Sequence, residues 1–201
     1  MKLYYTPGAC SLSPHIVALE ADLPLELIKV DLQSKLTENG DDFKKINPNG
    51  YVPTLILDDG NKLTEGPAIV QYLADRAPEK QLVPDAGTFE RYLLQQWLNF
   101  ISTEIHKNFS PLFDPSATQT VKDSAIERLS LRLGTVEEHL SDKPFLLGET
   151  FSVADAYLFV TLSWRHYVNL DIAKWPALTQ YVDNISARPA VQKALQEEGL
   201  I

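Results

Sequence analysis

The chain contains a single thiol, and the position of this thiol suggests chemistry. Cys10 directly follows a Pro-Gly-Ala sequence, where a predicted strand gives way to a predicted helix. The positive end of the helix dipole and the free N–H groups of the first turn favour a thiolate there. The alternative is a small buried side chain, the commoner fate of a lone cysteine. Ser13 stands where a redox motif has its second thiol, which excludes a dithiol cycle but leaves a mixed disulfide with a small thiol open.

Two further sequences could bind a peptide-like ligand. Val52-Pro53 places a proline at a strand entrance. A cis bond there would leave the Val52 N–H and C=O free to pair with an extended ligand, although an ordinary turn is the more frequent outcome. Glu65 and Gly66 lie between a short strand and a helix. The Glu65 carboxylate could bind an ammonium group of a ligand, and the helix N-terminus at Gly66 could bind a carboxylate of the same ligand. Together these two residues could hold an amino-acid zwitterion; alone they are an ordinary helix start.

A polar stripe is predicted on a long helix in the second half of the chain. Asn99, Thr103 and His106 are spaced by 4 and 3 residues, and Lys107 is next to them. One interpretation is a solvated helix face with an isolated histidine. The other is a helix that presents polar groups to a cleft between domains.

Residues 1 to about 80 supply the elements that must position the first of these groups. Short strands and helical stretches alternate in the order βαβ, then a loop or short helix, then ββα. This order predicts a mixed sheet with one right-handed crossover, covered by helices. The strands are predicted at residues 2–5, 26–30, 54–57 and 62–63, and the helices at residues 11–21 and from residue 66.

Beyond residue 85 the hydrophobic periodicity is helical almost throughout. It predicts a long helix over residues 88–109 and a second one around residues 126–140. Ser152 to Asp155 form a capping-box-like start for another helix. We therefore expect an all-α bundle at residues 87–201, separated by a linker from a first domain at residues 1–80.

Composition excludes several classes of protein. The 201 residues include one cysteine and four scattered histidines, so neither an intramolecular disulfide nor a zinc site is expected. A net charge of −9 disfavours binding to nucleic acid. Because the chain has neither a signal-peptide-like start nor a long apolar stretch, we expect a cytoplasmic protein with no membrane association.

Taken together, these features resemble the glutathione transferases over the whole chain. The first domain resembles their thioredoxin-like domain, a βαβαββα fold with a mixed four-stranded sheet, through Tyr5, Cys10, Val52-Pro53 and Glu65-Gly66. The second resembles their all-α domain through the sequence FSVADAY at residues 151–157. Cys10 with His106 and Lys107 is typical of the bacterial beta class.

The resemblance assigns roles to individual residues. Cys10 and His106 are expected at the glutathione sulfur as catalytic residues, and Tyr5 is not the expected activator. In the first domain, the resemblance implies that Tyr5 contributes to glutathione binding, Lys35 binds the glycyl carboxylate, Val52 and cis Pro53 bind the cysteinyl unit, and Glu65 and Gly66 bind the γ-glutamyl zwitterion. From the helical domain it implies contributions by Asn99, Thr103, Glu104 and Lys107, partly across a twofold dimer interface. Gly66 departs from the serine of many relatives, which removes one hydrogen bond worth at most about 1.5–3 kcal/mol.

The implied activity is conjugation of the glutathione thiolate to small hydrophobic electrophiles. Glutathione is then a co-substrate, with no metal or other cofactor, and the protein is a homodimer. The expected apolar pocket consists of Phe109, Phe113, Trp164 and Tyr167, which could equally be bundle core. Two alternatives stay open: a thiol transferase, peroxidase or dehalogenase that uses a Cys10 mixed disulfide, and a non-catalytic binding protein of the same fold.

Overall fold

In a computed structural model, which describes all 201 residues from Met1 to Ile201, the chain forms two units. Unit 1 consists of Met1–Leu82 and Pro189–Ile201, and unit 2 consists of Val83–Arg188. The division differs from the boundaries expected from sequence, because the last helix groups with unit 1. Its contacts explain this: the helix packs on the first helix of unit 1, and the adjoining Glu198 accepts a hydrogen bond from the Gly8 N–H at 2.9 Å.

Unit 1 has the predicted mixed sheet of four strands, in the order β2-β1-β3-β4. Strand β1 is parallel to β2 and antiparallel to β3, which is antiparallel to β4. Leu3 pairs with Leu27 on one side and Leu55 on the other, and Leu3 and Leu55 are fully buried. The elements are β1 Lys2–Tyr5, α1 Leu12–Glu20, β2 Glu26–Lys29, α2 Phe43–Ile46, β3 Thr54–Ile56, β4 Lys62–Thr64, α3 Gly66–Asp75, a 3₁₀ turn at Pro78–Lys80, and α10 Pro189–Glu197.

Unit 2 is all-helical, as predicted. Its helices are α4 Phe89–Phe100, α5 Lys107–Phe113, α6 Gln119–Leu140, α7 Val153–Ser163, α8 Arg165–Val168 and α9 Pro176–Ser186. Helices α4 and α5 are joined by a π-helical segment at Ile101–His106, in which the Lys107 N–H donates to the Ser102 carbonyl five residues earlier. The expected single α-helix over residues 88–109 is therefore interrupted. None of the helices of the chain is both long and apolar enough to span a membrane.

Helix α7 is anchored by the predicted capping box. The Asp155 carboxylate accepts hydrogen bonds from the Ser152 N–H and hydroxyl, both at 2.8 Å. It also accepts from the Leu146 N–H at 2.8 Å and the Tyr181 hydroxyl at 3.0 Å. Nearly every side chain of α7 is buried, so this network fixes the helix that passes through the core of unit 2.

Candidate active site

The thiol of Cys10 lies in the turn that joins β1 to α1. Its Sγ donates a hydrogen bond to the Val52 carbonyl at 3.3 Å, and the residue remains partly exposed. Burial raises the pKa of the Cys10 thiol to about 12; Glu65 adds to this, and the Cys10 and Ser11 N–H groups oppose it. The expectation that this position favours a thiolate is therefore wrong. The helix-start N–H groups act in the expected direction, but desolvation outweighs them.

The Val52-Pro53 bond is cis, as the resemblance implied. Val52 is buried, and its carbonyl is the acceptor for Cys10. Pro53 lies close to the start of α3: a Cβ added to Gly66 would be 3.9 Å from Pro53 Cγ. The cis-proline turn therefore contacts the thiol and lies beside the residue that begins α3.

Glu65 has an unusual backbone conformation immediately before α3. Its φ is 68° and its ψ 112°, in a region that residues other than glycine rarely adopt, and its side chain is exposed. The Glu65 carbonyl accepts from the Ala68 and Ile69 N–H groups, both at 3.0 Å. Because Pro67 has no N–H, Gly66 provides the N–H group at the start of the helix that is available to an anion.

Lys35 is held near the same turn. Its ammonium group donates to the Gly50 carbonyl at 3.0 Å, two residues before Val52. The Lys35 backbone has a φ of 59°, and its N–H donates to the Asp31 carbonyl at 2.9 Å. The long side chain therefore has a defined position in unit 1.

Tyr5 ends β1 and is buried. Burial raises the pKa of its hydroxyl above the usual value, and Glu198 and Glu38 raise it further. Tyr5 therefore keeps its proton at neutral pH.

Five of the candidate residues of unit 1 form two neighbouring pairs and one flanking cation. Cys10 is hydrogen-bonded to Val52, and Pro53 lies beside Gly66. Lys35 adds a positive charge, and the Glu65 carboxylate is close enough to Cys10 to raise the pKa of the thiol. The unit thus offers a thiol, peptide backbone, a carboxylate, a helix start and an ammonium group.

In unit 2, His106 lies at the end of the π-helical segment. Its Nδ1 is 2.7 Å from the Tyr157 hydroxyl, and its ring meets the Trp164 ring edge-on, with the centroids 4.7 Å apart. Burial lowers the pKa of His106 to about 4, and the positive charge of Lys107 contributes to the shift. His106 is therefore neutral at pH 7. Sequence reasoning missed Tyr157 as a site residue, because the sequence offered it only as part of a family motif.

Three of the four expected pocket residues form one aromatic cluster. Trp164 meets Phe109 and Phe113 edge-on at centroid distances of 5.6 and 5.9 Å. Phe109 and Trp164 are buried and therefore belong to the core of the helical bundle, which was the alternative to a pocket role. Phe113, in contrast, is 48% exposed. Tyr167, in the short helix α8, is 66% exposed.

The predicted polar stripe is altered by the π-helical segment. The Thr103 hydroxyl donates to the Asn99 carbonyl at 3.0 Å, and the Glu104 carboxylate accepts from Arg132 Nε at 2.6 Å. A π turn holds more residues than an α turn, so the spacing of 4 and 3 residues does not keep Asn99 and His106 on one face. The stripe prediction assumed an uninterrupted α-helix and is wrong in this respect.

Comparisons with known proteins show which family the chain belongs to. The chain matches the family models "Glutathione S-transferase, N-terminal domain" over residues 8–76 and "Glutathione S-transferase, C-terminal domain" over residues 100–189. Glutathione S-transferase GstA of Escherichia coli O157:H7 is 45% identical over 200 residues, which cover 100% of both chains.

Solved structures are similar over the same extent. A ternary complex of BphK, a bacterial GST, is 58% identical with a TM-score of 0.98, and the match covers 99% of this chain and 100% of that one. A sphingomonad glutathione S-transferase complexed with glutathione is 46% identical with a TM-score of 0.97, and the match covers 100% of both chains. A bacterial beta class enzyme from Sphingomonas chungbukensis has the same identity, TM-score and coverage.

Proposed function

Because the chain belongs to the glutathione S-transferase family, and to its bacterial beta class, we propose that it conjugates the glutathione thiolate to small hydrophobic electrophiles. The observation that carries the proposal is the grouping in unit 1. The Cys10 thiol contacts the backbone of the cis-proline turn, and that turn lies beside the start of α3. These are the groups that a tripeptide with a thiol and a zwitterionic end requires.

Each part of glutathione has a proposed partner in unit 1. Val52 offers its backbone to the cysteinyl unit. Glu65 binds the γ-glutamyl ammonium group, and the Gly66 N–H binds the neighbouring carboxylate. Lys35 binds the glycyl carboxylate, and Tyr5 belongs to the same binding site without activating the thiol. A protein with a net charge of −9 repels anionic glutathione, so the local positive groups carry the binding.

The chemistry depends on the acidity of the glutathione thiol. A free thiol has a pKa of ~8.5, and lowering it by about two units requires roughly 2.7 kcal/mol of selective stabilisation of the thiolate. The Cys10 S–H keeps its proton at neutral pH, so it can act as a hydrogen-bond donor for the glutathione sulfur when it turns from the Val52 carbonyl toward that sulfur. On the family resemblance, His106 is a second donor, with Asn99, Thr103, Glu104 and Lys107 as further contributors from unit 2.

Conjugation is favoured over thiol exchange by the state of Cys10. Because burial raises the pKa of the Cys10 thiol, Cys10 is mainly protonated at pH 7, whereas the thiolate is the nucleophile in disulfide exchange. A donor role needs no ionisation of Cys10. We therefore assign the attacking sulfur to glutathione and not to the protein.

The electrophile is proposed to bind on the aromatic cluster of unit 2. Phe113 and Tyr167 expose ring surface, and the buried Trp164 and Phe109 support Phe113 from behind. Such a surface suits a small apolar molecule with a soft reacting centre. We further propose that the protein acts as a homodimer with glutathione as its co-substrate and no additional cofactor.

The proposal is tested by assaying the purified protein with glutathione and a panel of aryl halides, epoxides and isothiocyanates, beside a Cys10→Ser variant. We expect conjugation by the wild-type protein and partial conjugation by the variant, since a serine hydroxyl still donates. We expect a disulfide-exchange assay on the same samples to show no turnover. Conjugation by the wild-type protein at the uncatalysed rate with the entire panel would refute the proposal.

A further inference from the structure

Two aromatic side chains of unit 2 hold the His106 ring. The Tyr157 hydroxyl is 2.7 Å from His106 Nδ1, and the two rings are inclined by 72° with their centroids 5.9 Å apart. The Trp164 ring meets the His106 ring at 71°. Tyr157 is 2% exposed and lies on α7, the helix anchored by the capping box. The contact therefore comes from one of the most constrained elements of the unit.

The protonation state of His106 restricts what this contact can be. A neutral imidazole carries one hydrogen on its two nitrogens, so one nitrogen donates and the other accepts. A phenol is a strong donor toward an imidazole lone pair, whereas the phenol oxygen is a weak acceptor. The favoured arrangement has the Tyr157 O–H donating to Nδ1, which places the imidazole hydrogen on Nε2.

We propose that Tyr157 is a positioning residue of the transferase, whose hydroxyl fixes His106 in the tautomer that carries hydrogen on Nε2. The inference rests on the proposed function, in which His106 donates a hydrogen bond to the glutathione thiolate. Only a nitrogen that carries hydrogen can do so; the opposite tautomer would present a lone pair to an anion. Tyr157 acts through His106 and has no contact with the reacting atoms in this account.

The test is a Tyr157→Phe variant, which keeps the buried ring and removes the hydroxyl. Long-range ¹H–¹⁵N spectra of the His106 side chain in the resting protein report the tautomer directly. Tyr92→Phe is the matched control, because it makes the same change at an exposed tyrosine of unit 2. Steady-state kinetics with glutathione and one aryl halide are measured on all three proteins across pH.

We expect the wild-type protein and the control to carry hydrogen on Nε2 and the Tyr157→Phe variant to show a mixture of tautomers. Its kcat should fall about three- to tenfold, the equivalent of one hydrogen bond, while the KM for glutathione changes less than about twofold. The midpoint of its pH–rate profile should rise by about half to one unit. A merely structural role would lower the melting temperature without moving the tautomer or the pH profile.

Two results would overturn the proposal: hydrogen on Nδ1 in the wild-type protein, or a Tyr157→Phe variant with an unchanged tautomer and pH–rate profile. The first result needs no variant, so the proposal stays testable if Tyr157→Phe does not fold. The tautomer is also read in the absence of turnover. Failure of the conjugation assay would therefore refute the proposed function and leave the tautomer measurement to decide the positioning role by itself.

Discussion

Gly66→Ser should strengthen glutathione binding. A Cβ at Gly66 would meet Pro53 Cγ at 3.9 Å, which is an ordinary van der Waals contact, so a serine fits without displacing the cis-proline turn. At the first position of α3 its hydroxyl would add a hydrogen bond to the γ-glutamyl carboxylate beside the existing N–H. Hydrogen bonds to charged groups contribute about 1.5–3 kcal/mol, and the lower figure corresponds to an approximately tenfold tighter Kd.

The assay is titration calorimetry with glutathione, with Gly66→Ala as the control. Alanine adds the same Cβ and the same restriction of the backbone but no hydroxyl, so its Kd should stay within about twofold of the wild-type value. The kcat of the serine variant should be nearly unchanged, because the γ-glutamyl end is bound equally in the ground state and the transition state.

Two outcomes would refute this reasoning. Equal gains from alanine and serine would mean that stiffening of the helix start, and not the hydroxyl, improves binding. No gain from serine would mean that the γ-glutamyl carboxylate does not bind at the start of α3.

Three further predictions concern charge and stability. Because burial lowers the pKa of His106 from 6.5 to about 4, the contribution of the neutral ring to stability is complete above pH 6.5 and is lost as pH falls through 4. The free energy of unfolding, measured in urea at pH 7 and at pH 4, should therefore decrease by about 3 kcal/mol less in His106→Gln than in the wild-type protein. Equal decreases in the two proteins would contradict this prediction. Lys35→Met should raise the KM for glutathione about tenfold and leave kcat unchanged. Lys62→Met is the control, because Lys62 is an exposed lysine that also donates to a backbone carbonyl, and it should change neither constant. Asp155→Ala should lower the free energy of unfolding by about 3 kcal/mol or more in urea titrations, because it leaves several buried donors without an acceptor. A loss below about 1 kcal/mol would contradict the importance of the hydrogen bonds that Asp155 accepts.

The sheet was predictable from sequence because its determinants are local. The short apolar runs, the turn residues around β3 and β4, and the proline at the start of α3 each specify their own element. The start of α7 was equally readable, since Ser152 and Asp155 are three residues apart and satisfy one another.

What could not be predicted depends on contacts between residues distant in sequence. The pKa of Cys10 follows from its burial, and its acceptor Val52 is 42 residues away. The partner of His106 is Tyr157, which is 51 residues away. The return of α10 to unit 1 is similar, since its neighbours are at the start of the chain. The π-helical segment left no signal in the hydrophobic spacing that predicted one long helix.

The central claim is that the protein binds glutathione as a thiolate. The ultraviolet absorption of thiolate, followed against pH for the protein saturated with glutathione, measures this directly. Cys10 is the only protein thiol, and burial raises its pKa, so its own ionisation adds little to the signal in the neutral range. We predict that bound glutathione ionises about two pH units below the ~8.5 of a free thiol. A bound thiol that titrates at the free value would contradict the account.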